Sequence, residues 1–152
     1  MAITKLVADS LGTGVGGKVL QVVTSSTSTV ASTTSSTYVP TTLAVSITPS
    51  STSNKILIIF NTTGTHTTAT SNALSLALFR DSTQLYEAQQ YIGWDTSSTD
   101  NQDAVGGTHL DTPSSVSSIS YNVKFKRMSL SGTVNVQANG STSTITAMEI
   151  AG

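Results

Sequence analysis

The stretch TLAVSITPSSTSNKILIIFNTT (residues 42–63), followed by ALSLALFR (73–80), decides the fold. Leu43, Val45 and Ile47 alternate with Thr42, Ala44, Ser46 and Thr48. A period of two marks a strand with one buried face. Pro49 has no N–H to donate and stops that ladder. Residues 50–54 are polar turn material. KILIIF (55–60) is apolar on both sides, which predicts a central strand covered from above and below. In the next run Leu74, Leu76 and Leu78 point one way, and Ser75, Ala77 and Phe79 the other. Successive strands with short polar links predict an all-β, antiparallel sandwich.

Composition agrees. A chain of 152 residues is expected to form one domain. Charged residues are 10% against the usual quarter or so, while Ser and Thr number 25 and 27. Hydroxyls therefore take the place of charges on the surface. Disordered chains combine low hydrophobicity with high net charge. Here the net charge is −1 and β-branched residues abound, which favours ordered strands. So neutral a chain is not built to hold phosphate backbones, and nucleic acid is not an expected partner. No cysteine is present, so no disulfide is expected. MAITKLVADSLG lacks the apolar centre of a secretory signal, and no run approaches the length of a membrane span. Synthesis in a cytosol, with no membrane partner, is the expectation.

Residues 1–17 read as a short arm before a sandwich domain of residues 18–152. Ile3, Leu6, Val7 and Leu11 fit one side of a turn or two of helix, and Gly12, Gly14, Gly16 and Gly17 end it. Such an arm either frays or docks on a neighbouring subunit. KVLQVVT (18–24) is the first expected strand. Residues 25–36 are Ser/Thr-rich, either an exposed hairpin or an irregular edge. Residues 37–39 lead past Pro40 into the strand at Thr42, and 62–72 read as polar turn. TQLYEA (83–88) pairs with the leucine strand through a tight turn at Asp81-Ser82. Residues 89–103 look like the longest loop. A strand resumes over 104–112 and stops at Pro113. In ISYNVKFKRM (119–128) Ile119, Tyr121, Val123 and Phe125 face in. Residues 132–138 and 143–150 suggest a last hairpin turned by Asn139-Gly140. The regular spacing suggests a sandwich of jelly-roll type.

Five segments in order, GGKVLQVV (16–23), SITPSSTSNKILI (46–58), LFRDST (78–83), LDTPSS (110–115) and STITAMEIAG (143–152), resemble a domain common in virion proteins of marine and cyanobacterial phages. The resemblance runs from Gly16 to Gly152. It implies a tailed-phage surface protein: a fibre or spike tip, or a capsid decoration protein, usually trimeric and without a catalytic motif. Many fibre proteins carry a long N-terminal shaft that this sequence lacks, which shifts the expectation towards a small decoration or cement subunit on the virion surface. The expected partners are then copies of itself and the major capsid protein or other virion proteins.

No residue pattern predicts catalysis, a cofactor or a metal centre. His109 and Asp111 share one strand face, but a third partner such as His66 is far off in sequence, so a surface pair is the expectation. Asp95, Asp100 and Asp103 offer hard oxygens for calcium in the 89–103 segment, without EF-hand spacing, so a solvated loop is expected. Tyr91 and Trp94 flank Gly93. They either stack on host glycan or a protein neighbour, or Ile92 and Trp94 fold back onto the core. Lys124, Lys126 and Arg127 form a basic row suited to an acidic shell surface, or to a solvated strand face that blunts edge pairing. The sequons at Asn61 and Asn139 read as turns. Two roles follow as expectations: a non-enzymatic decoration subunit, or a fibre-tip module that binds host glycan through residues 89–103. A polysaccharide hydrolase is disfavoured by the scarcity of paired carboxylates.

Overall fold

The computed structural model describes residues 17–97, 101–128 and 131–152. Ile3, Leu6, Val7 and Leu11, and with them nearly all of the expected arm, lie outside the described residues. The strands are β1 (Val19–Thr27), β2 (Ala31–Thr33), β3 (Val39–Ile47), β4 (Lys55–Thr67), β5 (Asn72–Arg80), β6 (Thr83–Asp95), β7 (Gln102–Asp111), β8 (Ile119–Arg127), β9 (Val134–Val136) and β10 (Ser143–Ile150), with a 3₁₀ turn at Ala138–Gly140. Among the described residues no helix is long and apolar enough to cross a membrane.

The strands form two antiparallel sheets. One carries β1-β10-β4, with β7 on the other side of β4 and the short β9 and β2 beyond the end of β10; the other runs β3-β8-β5-β6. Without β2 and β9, each layer holds four long strands, and most connections pass from one layer to the other. This is the expected jelly-roll sandwich. The core lies between the layers, where Leu43, Val45, Ile56, Ile58, Leu74, Leu76, Tyr121, Val123, Phe125 and Ile145 are buried. Each such side chain contributes about 1.5–3 kcal/mol of burial free energy.

Several local expectations are corrected. β4 is covered on one side only: Ile56, Ile58 and Phe60 are buried, whereas Ile59 is 41% exposed. The strand covered on both faces is β5, in which Asn72 to Phe79 are all buried. The 62–72 segment is not mostly turn, because β4 continues to Thr67. It does so through a bulge between Thr62 and Thr65 against β7. Gly64 makes that bulge possible, with φ at +58° and the backbone of Ala138 2.7 Å from where a Cβ would stand. Likewise the 89–103 segment is mostly strand, shared by β6 and β7. β9 and β10 are not a hairpin, since both pair with β4, end to end along one edge. Asn61 sits in a strand rather than a turn, paired with Gly106 and Thr144.

Candidate interaction surfaces

The five segments quoted above meet at two polar hubs, each built on a buried carboxylate. At the first, Arg80 Nη1 donates to Asp111 Oδ1 and Oδ2 at 3.0 Å each. Tyr121 donates its hydroxyl to Oδ2 at 2.7 Å. Burial and the adjacent carboxylate push the Tyr121 phenol well above its ordinary range. Asp111 is buried rather than part of a surface pair with His109, because it spans the two sheets. His109 instead stacks on Tyr86, with ring centres 5.3 Å apart. His66 lies elsewhere, its Nδ1 3.0 Å from Asn135.

At the second hub Glu149 is 1% exposed. Its Oε1 accepts from the Ser50 N–H at 2.6 Å, the Ser50 hydroxyl at 2.8 Å and Asn54 Nδ2 at 2.6 Å. Its Oε2 accepts from Gln21 Nε2 at 2.7 Å. Burial alone would raise its pKa, but the donors from Asn54, Gln21 and Ser50 outweigh burial and hold it at about 2. Gln21 belongs to the first of the five segments, Ser50 and Asn54 to the second, and Glu149 to the last. Periodicity gave no sign of these contacts, and the only sequence signal for them was the co-occurrence of the segments.

The basic row is largely occupied by intramolecular contacts. Lys124 lies 4.3 Å above the Phe79 ring and Lys126 4.4 Å above that of Tyr38. Lys126 also stands 3.8 Å from Glu87, which accepts from Tyr38 at 2.7 Å and from Ser75 and Gln90. Arg127 Nη1 donates to the Gly132 carbonyl. Together these groups cover the outer side of β5. Burial raises the Tyr38 phenol to about 12, with Glu87 adding to the shift. Burial acts upward on Glu87 too, but its donors and Lys126 hold its pKa below the ordinary carboxylate value.

Tyr91 and Trp94 remain exposed, at 55% and 49%. Their placement follows from two bulges. β5 pairs Leu76 with Gln89, Leu74 with Ile92 and Asn72 with Asp95, so twice in succession β6 spends three residues against two. Tyr91 and Gly93 take left-handed φ of 55° and 71°. The bulges break the alternation that would have sent Ile92 and Trp94 to the same side. Ile92 stays in the core, while Trp94 turns out to meet Tyr91 edge-to-face at 5.8 Å. Beside the pair is a notch of about 390 Å³, also lined by Gln89, Asp95, Asn101 and Asp103. Amides and carboxylates flanking aromatic rings are the groups that hydrogen-bond and stack on a sugar. Asp100 lies outside the described residues, and among those described no three His, Cys, Asp or Glu converge as metal ligands.

No protein-family model matches the chain, and no curated protein matches it. Among solved structures it is similar to the infectious bursal disease virus VP2 subviral particle, with a TM-score of 0.47 and 12% identity over 86% of this chain and 38% of that one. It is similar also to the T13 IBDV viral particle, at 0.47 and 11% over 86% and 35%. A third similar structure is that of the infectious bursal disease virus Gx strain, at 0.41 and 14% over 88% and 38%. The chain thus spans little more than a third of those chains, and at such similarity neither family nor function follows.

Proposed function

We propose that the chain is a non-enzymatic structural subunit of a phage virion, a head decoration or cement protein working as a homotrimer through contacts with its copies and with the shell protein. The observation that carries this reading is where the polar residues of the five quoted segments go. Their polar residues are consumed at Arg80–Asp111 and around Glu149 in pinning strands together, and not in a cleft. These segments thus hold the strands together as a two-layer slab. Its Ser/Thr-rich exterior suits contact with many neighbours. Shells prepared without the protein test this: purified protein added back should bind saturably and delay heat release of DNA. Shells that neither bind it nor gain stability would refute the role.

The Tyr91–Trp94 pair favours a second reading, a fibre-tip module that binds host glycan. Exposed aromatics held by two successive bulges, beside a notch of amides and carboxylates, fit a saccharide. Glycan-array binding lost in Trp94→Ala would support it. An array without signal for the wild-type chain would dismiss it.

A further inference from the structure

The outer face of the β1-β10-β4-β7 layer carries an apolar row. Val22 pairs with Met148, Met148 with Leu57, and Leu57 with Leu110. In an antiparallel sheet directly paired residues point to the same side, so these four form one line across four strands. Their inward neighbours Val23, Ile56, Ile58 and Ala147 pack in or against the core, which places the row on the solvent side. Val22 and Leu110 are 55% and 51% exposed. Ile59, one pleat further along β4, extends the patch. Among the described residues the opposite layer shows no such bare row, because Tyr38, Lys124 and Lys126 cover its outer side. A contiguous apolar patch on a sheet face marks a surface that something covers.

We propose that this row is the docking surface for the chain's own segment 3–11. The described chain begins at Gly17, and it begins on this face. A Cβ at Gly17 would stand 2.3 Å from Cγ2 of Ile150. Ile150 alternates with Glu149 and shares its side with Met148, one pleat away. The backbone therefore reaches β1 from the outer side, next to the row. Immediately before it stand Ile3, Leu6, Val7 and Leu11, at the spacing of one helical face. Nine residues at ~1.5 Å rise make about 13 Å of helix, and three strand-to-strand steps at ~4.8 Å make about 14 Å of row. Residues 12–16 reach up to about 17 Å when extended, enough to lay the segment along the row. Tethering keeps its local concentration far above that of a second copy. The pairing is independent of the virion role proposed above.

The chain has no native cysteine, so engineered pairs report the contact directly. In the 152-residue chain Val7→Cys with Leu57→Cys should oxidise to an intramolecular disulfide, at a rate independent of protein concentration. It should outpace Val7→Cys with Ser46→Cys, on the opposite layer, by about tenfold or more. Deleting residues 1–16 should raise the fluorescence of an apolar-surface dye severalfold with the strand circular dichroism unchanged. If the truncated chain does not fold, Leu6→Asp with Val7→Asp should give the same rise without touching the sandwich. Equal oxidation rates for the two pairs, cross-links found only between chains, or unchanged dye binding would each overturn the assignment.

Discussion

Arg80 Nη1 lies 3.0 Å from both carboxylate oxygens of Asp111, and so ties the end of β5 in one layer to the end of β7 in the other. Tyr121 of β8 closes the triad from the core side. Removing the carboxylate leaves a half-buried guanidinium and a fully buried phenol without their shared acceptor. Asp111→Ala should therefore lose about 3 kcal/mol in urea unfolding. The triple change Arg80→Met, Asp111→Leu and Tyr121→Phe should recover a good part of that loss, because three apolar groups leave nothing at this site unpartnered. A cost for Asp111→Ala below about 0.5 kcal/mol would show that the tie is not made.

Glu149 gives the fold an acid limit. Its carboxyl titrates at about 2 in the folded chain against an ordinary 4.5. A depressed carboxylate pKa stabilises the fold at pH values above the ordinary one, and that stability is lost as the pH falls from 4.5 towards 2. Melting temperature should drop through this window. In Glu149→Gln the drop should be smaller, from a starting stability about 2 kcal/mol lower, since a donor amide replaces an acceptor of four hydrogen bonds. Parallel pH profiles for the two chains would contradict the assignment.

At the alkaline end the sign reverses. Tyr38 keeps its proton up to about 12 in the folded chain, whereas an ordinary phenol loses it near 10. Its stabilising effect is whole below pH 10 and is lost as the pH rises from there to about 12. Tyr38→Phe should cost about 1 kcal/mol at neutral pH through its hydrogen bonds to Glu87 and Ser75. It should also flatten the alkaline fall, as followed by unfolding at stepped pH. An unchanged fall would place the effect on another phenol.

Trp94 is the only tryptophan, so its fluorescence reads the aromatic notch alone. At 49% exposure it should emit at the red end of the range and be quenched by acrylamide. Trp94→Ala should change stability by no more than about 0.5 kcal/mol, as expected for a surface position. A blue-shifted, unquenched emission would mean that the ring is covered.

The sequence was informative where one rule acted alone. Alternation in 42–48 and 119–126 identified β3 and β8 and their buried sides, because a strand with one covered face has only one way to satisfy its apolar residues. It misled where two rules compete. Ile59 looks like a core residue in KILIIF, yet sheet position, not hydropathy, decides which face of β4 is covered. Tyr91 and Trp94 looked like loop residues because a bulged strand has no constant period. The hubs at Asp111 and Glu149 join residues 31 and up to 128 positions apart, a separation at which local pattern carries no information.

The virion role has a direct test. Particles of the phage proposed to encode this chain, purified through a density gradient and quantified by mass spectrometry, should contain it at a fixed ratio to the major shell protein. The protein should leave with the heads when heads and tails are separated. Its absence from particles, or its recovery only with tails at fibre-like copy number, would contradict the account.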